Sequence, residues 1–182
     1  MPLILIVLIS ARMIVRAYEG REPRFGARVF VAENAAVIGD VEVGDDCSIW
    51  YSAVVRGDVH SIRVGARTNI QDNCTLHVTQ GTHPVRIAEE VTIGHSAVVH
   101  GCTIERRALI GMGSRVLDGA VVGELALVGA GALVPEGMAV PPRTLVVGVP
   151  ARVKRPLTEA EIAHLEQSWQ NYVGYKDRYL KA

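Results

Sequence analysis

The sequence predicts an all-β fold: a parallel β-helix of six-residue repeats, closed by a C-terminal α-helix. Three observations carry that prediction. Aliphatic residues recur every six positions over most of the chain, the next position is often glycine, and a small or β-branched residue stands four places on. A helical period takes over only after the repeats end.

Residues 1–24 read as an N-terminal segment. Residues 3–9 are seven consecutive apolar residues, too few to cross a bilayer, which needs about 20. Met1-Pro2 supplies no basic start for a signal peptide. A translation start at Met13 accounts for the run, making residues 1–12 a mis-assigned start. An apolar edge strand or a membrane-surface contact are the alternatives.

Residues 25–153 form the β-helix. The series runs Val31, Val37, Val43, Ile49, Val55, and after a nine-residue step Val64, Ile70, Leu76. An eleven-residue step leads to Ile87, Ile93, Val99, and a five-residue step to Ile104, Ile110, Val116, Val122, Val128, Val134, Val140, Val146. Gly44, Gly65, Gly94, Gly111, Gly123 and Gly129 follow members of the series. Ala35, Cys47, Ala53, Cys74, Ala97 and Ala126 illustrate the small position. Each hexapeptide is a short strand and a corner, with the aliphatic side chain pointing inward. Three hexapeptides make one coil, and coils stack about 4.8 Å apart. No repeat buries its apolar side alone, so stability comes from stacking. Spacing does not fix the handedness of the coil. Resemblance to known hexapeptide-repeat proteins implies left-handed coiling, against the usual crossover preference.

Gly148-Val149-Pro150-Ala151-Arg152 ends the repeats, and residues 154–182 carry a helix that packs along the prism. Thr158 and Glu161 form a capping box. Ile162, Leu165, Trp169, Tyr172 and Val173 make one apolar stripe at helical spacing.

Composition limits the partners. Nineteen basic and nineteen acidic residues leave no net charge, and no basic run points to nucleic acid. Cys47, Cys74 and Cys102 are odd in number and form no CxxC pair, so a reducing, cytoplasmic location is expected.

The long steps are the informative places. Treated as repeats carrying insertions, they align Arg56, His77 and His100, which follow Val55, Leu76 and Val99 on successive coils of one face. A spacing of about 4.8 Å per coil suits two imidazoles sharing a metal through bonds of about 2 Å. His95 and Asp72, two places after Ile93 and Ile70, stack on the preceding face, with Gln71 beside Asp72. His95 cannot reach the His77–His100 pair of its own chain around a corner. Three prisms packed in parallel about a threefold axis would bring it to the pair of an adjacent chain, and would bring Arg56 of one chain to Asp72 of the next. Ile38 and Leu117, and Tyr51 and Met112, bracket these columns with residues that carry no charge at neutral pH, so the charged patch is local. His60, His83 and His164 lack such neighbours and default to the surface.

Arg56-Gly57-Asp58, Asn69-Ile70-Gln71-Asp72, His77 and Gly94-His95-Ser96-Ala97-Val98-Val99-His100-Gly101-Cys102 closely resemble the γ-class carbonic anhydrase family. The resemblance runs from about Phe25 to the C-terminal helix. It implies a homotrimer with metal sites at subunit interfaces. His77 and His100 of one chain and His95 of its neighbour would be the ligands. Zinc is the usual ion, with iron(II) or cobalt serving in relatives. Gln71 would orient the metal-held hydroxide or bicarbonate, and Arg56 and Asp72 would pair across the interface, with Arg56 near bicarbonate. Asp58 and Asn69 would support them. The implied reaction is reversible hydration of carbon dioxide to bicarbonate. Val59 and the short loop at 78–84 carry no carboxylate where relatives place acidic proton carriers, which makes His83 the candidate proton shuttle. Three further readings share the fold: a hexapeptide acyltransferase using acetyl-CoA, a non-catalytic metal-stabilised scaffold, and an acyl-CoA enzyme such as a thioesterase.

Overall fold

The computed structural model describes residues 13–181. The expectations for residues 1–12 lie outside the described residues. The chain winds into a left-handed parallel β-solenoid of about seven turns with one C-terminal helix, and its turns follow the six-residue period. Three columns of side chains fill the prism, one per face. On the first face Val37, Val55, Leu76, Val99, Val116 and Val134 stack in register. On the second the column is Val43, Val64, Ile87, Ile104, Val122 and Val140. On the third, Val31, Ile49, Ile70, Ile93, Ile110, Val128 and Val146 line up. All except Val31 are buried. β-Branched residues suit this role because they pack on the pleated surface with little rotamer freedom to lose.

The two ends of the stack differ. Ile14–Arg16 pairs in parallel with Ala36–Ile38, so strand pairing starts ahead of residue 25. At the far end Thr144–Gly148 turns back into Ala151–Pro156, which pairs with it antiparallel. The repeat count does not foresee this hairpin. An antiparallel strand cannot continue a parallel coil, so it closes the stack.

Helix α1 spans Glu159–Tyr179 and lies against the third face. The capping box is formed: the Glu161 amide donates to Thr158 Oγ1 at 3.2 Å, and the Thr158 amide donates to Glu161 Oε2 at 2.8 Å. Leu165 is buried, and Ile162, Trp169, Tyr172 and Val173 of the stripe are half-buried. Tyr172 and Tyr179 meet Trp50 edge-on at 5.5 and 5.1 Å. One anchor continues the stripe by a turn but carries a charge. Lys176 is fully buried, and its ammonium donates to Asp46 at 2.9 Å and to Asp177. Burial opposes the charge on Lys176, but those two carboxylates outweigh it and raise its pKa.

Candidate functional site

The corner between the first and second faces carries all the irregular steps of the repeat, and the polar cluster gathers there. His77 and His100 pair in register as the last residues of Thr75–His77 and Val98–His100. Their rings tilt toward each other, with His77 Nδ1 3.1 Å from His100 Nε2. The outer nitrogens meet carboxylates. His77 Nε2 lies 3.1 Å from Asp58 Oδ1, and His100 Nδ1 lies 2.5 Å from Asp118 Oδ1. Arg56, also on this face, pairs with Asp58.

The protonation pattern follows from these contacts. Burial alone would raise the Asp58 and Asp118 carboxyls. Hydrogen bonds from Arg56 and His77 to Asp58, and from Thr79 and His100 to Asp118, outweigh it and hold both below the ordinary carboxylate value. Burial, helped by Arg56, lowers the pKa of His77 and favours its neutral ring. With each outer N–H donating to an ionised carboxylate, both inner nitrogens would carry lone pairs facing one another. Such a pair calls for a cation between them. Nitrogens bound to one tetrahedral ion at about 2.0–2.1 Å lie roughly 3.3 Å apart, close to the observed 3.1 Å. A carboxylate behind each imidazole is the usual backing of a metal-ligating histidine. The donor set therefore fits a divalent metal ion.

His95 sits elsewhere. It follows the third-face strand Thr92–Ile93, whereas His100 ends the first-face strand. Four residues separate them, and the first-face strand lies between the two positions, so the two rings stand at opposite edges of the first face. His95 is half exposed, and its Nδ1 lies 2.8 Å from Asp72 Oδ2 in the coil below. Gln71 Oε1 accepts from the His95 amide at 3.1 Å, and Gln71 Nε2 donates to Asn69 Oδ1 at 3.0 Å. Asn69 is held in turn by the Thr92 hydroxyl at 3.0 Å. Gln71 and Asn69 are thus buried and fixed, while the His95 ring stays open to the surface. Among the described residues, no three His, Cys, Asp or Glu side chains of one chain converge on a metal position.

No family model matches the chain. Single relatives are more informative. The chain is 47% identical over 173 residues to Protein YrdA of Escherichia coli, covering 92% of this chain and 94% of that protein. It is 46% identical to a carbonic anhydrase of Geobacillus kaustophilus, covering 91% of this chain and 90% of the other. It is 48% identical to the mitochondrial gamma carbonic anhydrase 1 of Arabidopsis thaliana over 84% of this chain, which spans 57% of the longer plant protein. The chain belongs to the γ-class carbonic anhydrase family. Among solved structures, a hexapeptide transferase family protein from Anaplasma phagocytophilum superposes with a TM-score of 0.88 at 42% identity, over 91% of this chain and 98% of the other.

For a γ-class chain, the structure brings together His77, His100, Asp58 and Arg56, and separately His95, Asp72, Gln71 and Asn69. It holds Arg56 on Asp58 and Asp72 on His95 inside one chain. Those contacts use one guanidinium nitrogen and one carboxylate oxygen, so an Arg56–Asp72 pair between copies need not break either. His83 is half exposed on the loop beside the pair, with Nδ1 3.0 Å from Thr82 Oγ1 and 3.8 Å from Asp118 Oδ2. His60 stays local, its Nδ1 accepting from the Ser61 amide. His164 is exposed on α1, yet it lines a cleft of about 340 Å³ together with Gln71 and His95. Asp118 is the residue that repeat counting passed over. It stands two places after Val116, one coil above Gly101, and the Gly119 amide donates to the Gly101 carbonyl. Extending the His column by one more coil and one more residue finds it.

Proposed function

We propose that this chain is a metal-dependent carbonic anhydrase, which hydrates carbon dioxide reversibly to bicarbonate and a proton at sites shared between the copies of a homotrimer. The observation that carries this reading is the His77–His100 pair, with Nδ1 and Nε2 facing one another 3.1 Å apart and a carboxylate behind each ring. Two ligands do not complete a tetrahedral site. His95 is the remaining imidazole that is in register, backed by a carboxylate and open to a neighbour. A parallel neighbour about a threefold axis supplies it. Zinc is the proposed ion, and iron(II) or cobalt would suit the same three nitrogens.

A divalent ion held by three neutral imidazoles lowers the pKa of a coordinated water to about 7, which supplies hydroxide at neutral pH. The protein's own groups do the rest. Arg56 offers its guanidinium to the carboxylate oxygens of bicarbonate. Gln71, held by Asn69 and the His95 amide, would orient the hydroxide or bicarbonate through its second Nε2 hydrogen. Asp58 and Asp118 keep the outer nitrogens of His77 and His100 protonated, so that their inner nitrogens remain donors to the ion. His83, at the rim, passes the released proton to solvent. The three cysteines are free and buried, which supports a reducing, cytoplasmic setting. Among the described residues no helix is long and apolar enough to cross a membrane.

The test is stopped-flow carbon dioxide hydration on anaerobically purified protein, with metal content measured on the same sample. The expected result is hydration above background, and its loss together with bound metal in His95→Ala. Hydration that survives His95→Ala unchanged overturns the proposal. The transferase name of the Anaplasma structure favours one second reading, an acyltransferase. Binding of acetyl-CoA without copurifying metal would establish that instead. Full metal occupancy with background hydration would point to a scaffold.

A further inference from the structure

We infer that Asp118 is a positioning residue that holds the tautomer and direction of His100 and ties the loop at 78–84 to that ring. Its consequence for metal affinity rests on the metal-centre reading above, while its effect on His100 does not.

Three contacts meet on this one carboxylate. Oδ1 lies 2.5 Å from His100 Nδ1. Oδ2 accepts from the Thr79 hydroxyl. The same Oδ2 lies 3.8 Å from His83 Nδ1, beyond a hydrogen bond but facing it. One oxygen therefore serves the coil below, and the other serves the loop. The loop is pinned at its neck as well, since the Thr79 amide donates to the His83 carbonyl at 3.1 Å and the His83 amide to the Thr79 carbonyl at 3.3 Å. Asp118 is only about one-fifth exposed, so little water competes for these bonds.

The backbone reserves space for the carboxylate. Gly101 follows His100 with φ +51, and a Cβ built there would stand 2.3 Å from Asp118 Oδ1. Any side chain at 101 would push the acceptor off His100. Asp58 holds the outer nitrogen of His77 in the same way but from the coil below, so the two rings are buttressed from opposite ends. Asp118 differs by also holding a loop. Movement of residues 78–84 is thereby coupled to the direction of a ligand ring.

The test uses metal-free and zinc-loaded full-length protein. In metal-free protein labelled with ¹⁵N-histidine, His100 should carry its proton on Nδ1, and Asp118→Ala should shift it toward Nε2. Zinc affinity, read by competition with a chromophoric chelator, should fall about 10- to 100-fold in Asp118→Ala. Asp118→Asn retains one acceptor and should show a smaller loss of the same kind. Asp118→Leu, similar in size and without an acceptor, carries the test if the alanine variant does not fold. Thr79→Val cuts only the loop tie, and should speed amide exchange across 78–84 while leaving the His100 tautomer in place. An unchanged His100 tautomer in Asp118→Ala, or in Asp118→Leu if only that folds, overturns the inference. Wild-type protein that binds no zinc would instead overturn the metal-centre reading, and the tautomer would still decide the role of Asp118.

Discussion

Replacing Gly101 by alanine perturbs the site without replacing a functional side chain. Two costs can be read from the structure. Alanine at φ +51 sits in the left-handed region, which costs an L-residue about 1–2 kcal/mol. The new Cβ would stand 2.3 Å from Asp118 Oδ1 and 2.7 Å from His83 Cβ. To reach even 3.0 Å, the carboxylate must retreat by roughly 0.7 Å, which stretches its bond to His100 Nδ1 from 2.5 Å beyond 3 Å. Charge-assisted hydrogen bonds contribute about 1.5–3 kcal/mol, and part of that is lost. The expected destabilisation is about 2–4 kcal/mol in all.

Gly113 supplies the control. It too has positive φ, +67, but an added Cβ would meet nothing within 4 Å. Gly113→Ala should therefore cost only the backbone component, about 1–2 kcal/mol. Urea unfolding of both variants, compared at equal protein concentration, reads the difference. Gly101→Ala should be the weaker by about 1–3 kcal/mol and should also lose zinc affinity, which Gly113→Ala should keep. Equal midpoints and equal zinc affinity for the two variants would refute the claim that Gly101 makes room for the carboxylate.

Acid should loosen the anchor of α1. The hydrogen bond from Arg28, with those from Lys176, brings the Asp46 carboxyl down from 3.8 to about 2 against the opposing effect of burial. A depressed carboxylate stabilises the fold fully above its unfolded value and loses that contribution as pH falls from about 4 toward 2. The amount is at most about 2 kcal/mol, because Arg28 is largely exposed and its share is screened. Urea midpoints of wild type and Asp46→Asn should converge at low pH, and a constant gap between pH 6 and pH 2 would contradict this. Removal of metal gives a second prediction. An ion present at about 100 times its dissociation constant stabilises the native state by about 2.7 kcal/mol. A chelator should lower the melting temperature, zinc should restore it, and the size of the drop should depend on protein concentration if the ion joins separate copies. No change in melting on stripping metal from a verified metal-containing sample would count against a shared site.

The regular part of the molecule was legible because one physical rule governs it. An inward aliphatic residue every six positions places Leu76 beneath Val99, and so His77 beneath His100. The capping box at Thr158 was legible for a similar reason, being a local pattern of four residues. Features that depend on tertiary contacts were not. Lys176 falls at the helical spacing of the stripe, but the carboxylate that lets its charge be buried there, Asp46, lies 130 places earlier. The hairpin at Ala151–Pro156 carries no hexapeptide signal. Asp118 lies in register, yet its side chain matters because the Gly101 backbone below lets it reach down.

The irregular steps share a cause with the site. The nine-, eleven- and five-residue steps all fall at the corner between the first and second faces, while the other two corners keep the six-residue count. Stacked identical rungs can place side chains about 4.8 Å apart but cannot aim carboxylates at the outer edges of two neighbouring imidazoles. The long corner at 56–63 supplies Asp58 below the pair, and the longer one at 77–86 supplies the loop with Thr79 and His83. The short corner at 100–103 leaves room for Asp118 to come down from above. Departures from the repeat weaken the stack locally, and here they are confined to the one edge where ring direction has to be controlled. His95 needs no insertion, because its carboxylate, Asp72, already lies directly beneath it in the regular stack. That difference matches a division of labour in which one edge is built to hold an ion and the other only to present a ligand to it.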